Sequence, residues 1–212
     1  MTDLDCDLAA RLRRSAGHMA VELSSEQVER LERYLDTLML WRRRMSLVAD
    51  RAVAKVVVNH VEDSLALVPV LHSGDRVADL GAGGGFPGLV LAIACPHSEI
   101  FLVEAQRRKA SFLREALRAS ATSNAVVVEG RAEAICDPRL TALDCVVSRA
   151  TWPGVELFAI ARSLLRSGGL AVGMKSVADL PLDPPEGYRE LRSQTYALSN
   201  GSARALAIAT RK

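Results

Sequence analysis

The residues best equipped for chemistry lie in one run, Val77-Ala78-Asp79-Leu80-Gly81-Ala82-Gly83-Gly84-Gly85-Phe86-Pro87-Gly88. Glycines at 81, 83, 84 and 85 let a backbone turn sharply and approach a ligand closely. The run joins a short apolar segment of strand type to an aliphatic segment of helix type. In an open α/β sheet a ligand lies beyond the carboxyl ends of the strands, here beside this loop. Asp79 stands at the strand end, directly before the loop. Glu104 ends the next strand candidate, 23 residues after Gly81. From there a carboxylate can accept hydrogen bonds from both hydroxyls of a ribose.

Two ligand classes compete for such a loop. A dinucleotide needs its pyrophosphate on the helix N-terminus and usually a GxGxxG pattern. Here Phe86 occupies the third glycine position, and the charge of Asp79 repels pyrophosphate. S-adenosylmethionine has no phosphate and carries a sulfonium and an ammonium, which an acidic neighbour attracts. The loop, with Asp79, Gly81, Gly83 and Gly85, therefore favours S-adenosylmethionine over a nicotinamide dinucleotide. Glu104 suits both classes and does not discriminate. The third strand candidate runs into Glu129-Gly130-Arg131-Ala132-Glu133, which would pass the adenine and offer backbone amides and a carboxylate. Glu133 reads equally well as an exposed acid at a helix start.

The elements that must position these groups are legible in outline. Residues 1–72 read as an N-terminal helical extension. Ser24 caps its clearest helix, Gln27 completes a capping box and Leu23 staples onto Val28. Val28, Leu31, Leu35 and Leu38 recur at helical spacing, with Tyr34, Trp41 and Met45 beside the stripe. A further helix is predicted over about Val53–Leu71. From residue 73 to 212 short apolar runs alternate with helical segments. Strands are predicted at Arg76–Leu80, Glu99–Glu104, Ala125–Glu129, Leu143–Ser148 and Leu170–Lys175. Helices fall at Pro87–Ala94, Gln106–Ala119 and Pro153–Arg166, the last stopped by Gly168-Gly169. Tyr188–Leu198 and Arg204–Thr210 read as a closing hairpin through Ser199-Asn200-Gly201. The class is α/β: a mostly parallel seven-stranded sheet with helices on both faces.

Composition limits the alternatives. The chain has 212 residues, 49% of them hydrophobic and 25% charged, which is ordinary globular usage. The net charge of +2 gives no general affinity for polyanions, so nucleic-acid contact must rest on local clusters. Cys6, Cys95, Cys136 and Cys145 form no CxxC pair, and neither a metal site nor a disulfide framework is expected. The start, MTDLDCDLAA, has three Asp and no basic segment of signal-peptide type. No apolar run reaches the roughly 20 residues a membrane span needs. The expectation is a cytoplasmic monomer.

Two basic clusters stand out: Arg42, Arg43 and Arg44 with Arg51 and Lys55, and Arg107, Arg108 and Lys109 with Arg114 and Arg118. Arg42–Arg44 also fit a plain interaction with a helix C-terminus. Aromatic residues make up 4% of the chain, too few for a multi-base stacking platform. Trp152 is the candidate for stacking on a single target base. His60 and Asp63, three apart on a predicted helix, share a face. They serve either to position a substrate or to brace the helix. Arg149, at a strand end, faces either a cofactor, an RNA phosphate or a structural ion pair.

With these residues in place, the segment DLGAGGGFPGLVLAIACP resembles the glycine loop and first helix of the small-subunit ribosomal RNA guanine-N7 methyltransferases, once called glucose-inhibited division protein B. Further matches follow in order: His60-Val61-Glu62-Asp63-Ser64, Leu102-Val103-Glu104, Arg107-Arg108-Lys109-Ala110-Ser111-Phe112-Leu113, Gly130-Arg131-Ala132-Glu133 and Ser148-Arg149-Ala150. Together they span about residues 35–175. The resemblance implies a Rossmann-like S-adenosylmethionine-dependent methyltransferase fold and methyl transfer to N7 of one guanine in 16S ribosomal RNA. By position it assigns Gly81, Phe86, Ala132, Glu133 and Arg149 to cofactor contact. It also implies 16S RNA or the small ribosomal subunit as partner, with Arg42–Arg44, Arg107–Lys109, Trp152 and Lys175 as RNA-contact candidates.

Guanine N7 has an exposed lone pair and no proton to lose, so its methylation needs no general base; orientation and electrostatics suffice. No catalytic base is assigned. Three departures from the family pattern occur. Ser46-Leu47-Val48 stands for the usual Asn-Leu-Thr, Asn59 for Arg, and Ser176 for Gly. They are expected to bear on the substrate side, which leaves a different RNA or a small molecule as the alternative acceptor.

Overall fold

The computed structural model describes residues 3–149, 154–177 and 185–212. Two helices lead, α1 (Asp3–His18) and α2 (Ser25–Trp41). The capping box at the start of α2 forms as the sequence dictates. Ser24 Oγ accepts the Gln27 N–H at 3.2 Å, and Gln27 Oε1 accepts the Ser24 N–H at 2.8 Å. The stripe Val28, Leu31, Leu35 and Leu38 is buried, with Tyr34 among it. Next come α3 (Val53–Val56), a π-helical segment (Val57–Glu62) and α4 (Asp63–Leu65), whose backbones run on without a break in helical geometry. The sequence expectation of one helix to Leu71 is shortened: a separate 3₁₀ turn forms at Val68–Val70 around Pro69.

The sheet contains seven strands: β1 (Arg76–Leu80), β2 (Glu99–Glu104), β3 (Ala125–Glu129), β4 (Leu143–Arg149), β5 (Leu165–Lys175), β6 (Tyr188–Ala197) and β7 (Ala203–Arg211). Their spatial order is β3-β2-β1-β4-β5-β7-β6. The first five run parallel, and β7 pairs antiparallel with both β5 and β6. The helices between the parallel strands are α5 (Gly88–Ala94), α6 (Arg107–Ala119) and α7 (Gly154–Leu164). Strand residues alternate between two cores, as period-two side chains must. Val77, Ile100, Leu102, Val147 and Val172 face a core shared with α1, α2, α5 and α6. Ala78, Phe101, Val103, Val146 and Ala171 face α7.

One expectation fails at β5. Gly168-Gly169 does not stop α7, which ends at Leu164; the strand begins at Leu165. Leu143 pairs with Leu165 but Cys145 pairs with Leu170, so the two glycines lie in an irregularity of the strand. Gly169 passes so close to β4 that an added Cβ would sit 3.0 Å from the Leu143 carbonyl oxygen.

Polar anchors fix the helical layer to the sheet. Gln27 Nε2 donates to the carbonyls of Ile93 and Ala94, both at 3.0 Å, satisfying the end of α5. Glu62 is fully buried and accepts from Ser15 Oγ (2.7 Å), Ser199 Oγ (2.9 Å) and the Ser199 N–H. One carboxylate thus ties α1, the π-helical segment and the β6–β7 hairpin together. Among the described residues no helix is long and apolar enough to cross a membrane.

Candidate active site

Parallel register puts Asp79, Glu104 and Arg149 at the carboxyl ends of adjacent strands, around the glycine loop. Asp79 is completely buried; its Oδ2 accepts the Gly88 N–H at 2.8 Å, while Oδ1 has no partner among the described residues. Burial pushes its carboxyl up to about 7, against the pull of the Gly88 hydrogen bond and of Arg149. Gly88 has no room for a side chain: an added Cβ would lie 2.4 Å from Leu102 Cδ2 and 2.7 Å from Asp79.

Glu104 holds the loop from the cleft side. Its Oε2 accepts the Gly83 N–H at 2.9 Å and its Oε1 accepts the Gln106 N–H at 2.7 Å. A carboxylate has about four acceptor sites, so lone pairs remain for a ribose. Gly81, Gly83, Val103, Glu104, Lys109, Gly130, Ala132 and Glu133 are among the residues lining a cleft of ≈ 450 Å³. Of the candidates read from the sequence, Gly81, Gly83, Glu104, Ala132 and Glu133 are brought together here. The cleft mixes charges, the carboxylates of Glu104 and Glu133 with the cations of Lys109 and Arg131, and its volume is of the size small-molecule clefts have.

Asp79, Gly85, Phe86 and Arg149 are not among the residues lining this cleft. The Phe86 ring is packed against three side chains from three elements. Tyr34 of α2 lies 5.4 Å away between ring centroids, His60 lies 5.0 Å away, and the Arg149 guanidinium carbon sits 5.4 Å from the ring centre. Arg149 also donates to the Asn59 carbonyl at 3.3 Å and pairs with Asp63 at 3.6 Å.

The side chains of His60 and Asp63 take different partners. His60 Nε2 meets Asp50 Oδ2 at 3.1 Å, and Asp50 also accepts from Asn59 Nδ2 at 3.0 Å. Asp63 instead accepts the Tyr196 hydroxyl at 2.7 Å. His60 lies in the π-helical segment, and Asp63, whose N–H donates to the His60 carbonyl, follows it. Burial, helped by Arg149, lowers the His60 pKa to about 4, so the ring is neutral at neutral pH. Sequence reasoning missed Asp50 and Tyr196, which carry no motif. It placed Tyr34 only beside an apolar stripe, although a phenol at a core position signals a required hydrogen bond.

The family model described as "GidB: rRNA small subunit methyltransferase G" matches residues 27–181. The chain belongs to the GidB family. The Ribosomal RNA small subunit methyltransferase G of Xanthomonas campestris pv. campestris is 41% identical over 171 residues, covering 81% of this chain and 78% of that protein. The fold recurs in distant solved structures. A SAM dependent methyltransferase from Aquifex aeolicus superposes with a TM-score of 0.56 at 13% identity, covering 74% of this chain and 93% of the other. M. jannaschii TYW2 in complex with AdoMet gives 0.58 at 13% identity, covering 80% of each. This chain therefore belongs to a family of small-subunit ribosomal RNA methyltransferases and has the Rossmann-like fold of these solved structures.

The departure Ser46-Leu47-Val48 does not sit apart from the cofactor side. A Cβ added at Gly84 would lie 3.0 Å from the Leu47 carbonyl oxygen and 3.5 Å from Val48, so this segment packs on the glycine loop. Asn59, the second departure, donates to Asp50 and accepts from Asn200 Nδ2 at 2.9 Å, bridging the loop's surroundings to the β6–β7 hairpin.

The two basic clusters of the GidB-family sequence meet in space. Arg108 donates to the Arg44 carbonyl at 3.4 Å, joining the end of α2 to the start of α6. Arg42 donates to the Arg51 carbonyl at 3.2 Å. Arg114 pairs with Glu129 at 2.9 Å and Arg118 with Glu115 at 2.7 Å, so those two cations are already matched. Arg43, Arg44 and Arg107 are exposed, and no carboxylate partner is found for them among the described residues. Trp41 packs edge-on against Phe112 in the core, with centroids 5.9 Å apart. Trp152 lies outside the described residues, and Lys175 ends β5, half-buried.

Proposed function

We propose that this chain transfers the methyl group of S-adenosylmethionine to N7 of one guanine in 16S ribosomal RNA, acting on the RNA or on the small subunit in the cytoplasm. One observation carries the reading: the cofactor cleft and the cationic surface share the first turn of α6. Lys109 lines the cleft, and Arg108, its neighbour, joins Arg44 across to α2. Three cations, Arg107-Arg108-Lys109, open a helix with no acid in its first turn. Cations at a helix N-terminus oppose the helix dipole, so the helix gains nothing from them. A polyanion beside the cleft does.

In this reading Gly81, Gly83, Ala132 and Glu133 contact the cofactor directly, and Glu104 holds the ribose. Asp79 braces the loop through the Gly88 N–H. Gly85, Phe86 and Arg149 set the loop's shape. Arg42, Arg43, Arg44, Arg107, Arg108 and Lys109 hold phosphates, Lys175 is a further RNA contact, and Trp152 is the candidate for stacking on a target base. Residues 1–72 form the helical extension and 73–212 the methyltransferase domain, and the protein works as a monomer. His60, neutral and donating to Asp50, positions the loop and transfers no proton. The chain's tasks are to orient the acceptor and exclude water, since N7 needs no base.

Mass analysis of 16S RNA from a strain lacking this gene tests the assignment. Loss of one 7-methylguanosine supports it, and an unchanged modification pattern overturns it.

A further inference from the structure

We infer that Tyr34 is a positioning residue for the methyl donor, acting through the glycine loop from the helical layer outside the sheet. The inference rests on the reading that the cleft takes S-adenosylmethionine.

Tyr34 lies on α2 and is fully buried. Its hydroxyl donates to the Gly84 carbonyl at 2.5 Å. Its ring packs against Phe86, two residues further along the loop. An added Cβ at Gly85, where φ is +91°, would lie 2.8 Å from the Tyr34 oxygen, so the loop closes directly onto the phenol.

Adjacent residues of the loop are therefore held from opposite sides. Glu104 accepts the N–H of Gly83 at 2.9 Å, and Tyr34 donates to the C=O of Gly84. A stretch of three glycines has no side chains with which to fix itself, and its conformational freedom is the largest a chain offers. Something outside must set the orientation of its peptide groups. Glu104 lies in the cleft and meets the ligand. Tyr34 reaches the loop only from behind and acts through Gly83 and Gly81, both of which line the cleft. Burial raises the phenol's pKa well above its usual value, which keeps it a donor at neutral pH.

Tyr34→Phe keeps the ring and its packing on Phe86 and deletes one hydrogen bond. Leu31→Val trims the same helix's core one turn away and serves as the control for general loosening. S-adenosylhomocysteine is titrated calorimetrically into wild type and both variants, with thermal melts and steady-state kinetics on small subunits alongside. The expected result is a Kd for S-adenosylhomocysteine about tenfold weaker in Tyr34→Phe. The KM for the donor rises in step, while kcat and the KM for subunits stay within about twofold. Leu31→Val lowers Tm and leaves Kd within about twofold. An unchanged Kd in Tyr34→Phe, or an equal weakening in Leu31→Val, overturns the inference while wild-type binding upholds the cleft. No binding by wild type overturns the reading of the cleft and the inference with it.

Discussion

Asp79 at the end of β1 and Gly88 at the start of α5 are joined by a 2.8 Å hydrogen bond from the Gly88 N–H to the carboxylate, in a space with no room for another atom. This bond fixes where the glycine loop leaves the strand and where it enters the helix. Gly88→Ala forces a methyl group against Leu102 and Asp79. Overpacking of this kind costs about 1–3 kcal/mol. The expected outcome is a Tm lower by several degrees and a weakened affinity for S-adenosylhomocysteine. A variant with wild-type melting and binding would show that the loop tolerates displacement.

Asp79 and His60 pull stability in opposite directions with pH. The Asp79 carboxyl titrates near 3.8 unfolded and about 7 folded, so the folded chain holds the extra proton between those values. Its contribution to stability is present at low pH and is lost as pH rises towards 7. His60 is the reverse: near 6.5 unfolded and about 4 folded, it takes stability away as pH falls from 6.5 to 4. Asp79→Asn removes only the first effect. The variant is expected to lose stability, relative to wild type, as pH falls from 7 to 5. Parallel pH–stability curves for the two proteins would contradict the buried, raised carboxyl.

Glu104→Gln tests the brace on the cleft side. Both carboxylate oxygens accept backbone N–H groups, from Gly83 and Gln106. A carboxamide offers one oxygen, so either way it turns, its NH₂ meets an N–H. An unsatisfied buried donor costs about 1–3 kcal/mol. Binding of S-adenosylhomocysteine is expected to weaken by roughly 10- to 100-fold, beyond any effect on the ribose. Calorimetric titration reads this directly, and wild-type affinity would remove Glu104 from the site.

Arg44 and Arg107 are expected to hold phosphates. Removing a single cation–phosphate interaction lowers the slope of log K against log salt by roughly one. Arg44→Ala and Arg107→Ala should each weaken binding of 16S RNA and flatten its salt dependence, leaving the Kd for S-adenosylhomocysteine unchanged. RNA binding curves identical to wild type at all salt concentrations would place the RNA elsewhere.

Much of this architecture is legible along the chain. Strands β1, β2 and β3 have the bounds read from their short apolar runs, since buried parallel strands leave that pattern and β2 and β3 end at acids. The Ser24–Gln27 capping box is equally local. What could not be read depends on departures from regular geometry or on distance in sequence. The spacing of His60 and Asp63 suggests a pair, but their side-chain partners, Asp50 and Tyr196, come from distant parts of the chain. Arg44 and Arg108 lie 64 residues apart, and no local pattern announces that their clusters join. Gly168-Gly169 carries the chemistry of a helix stop, and a strand irregularity uses the same freedom.

The most direct test supplies undermethylated small subunits and their naked 16S RNA with labelled S-adenosylmethionine and the purified chain, then digests the RNA to nucleosides. The predicted result is label in 7-methylguanosine, one per RNA molecule. Label in a different nucleoside, or none in either substrate from a protein that binds S-adenosylhomocysteine, would contradict methyl transfer to guanine N7.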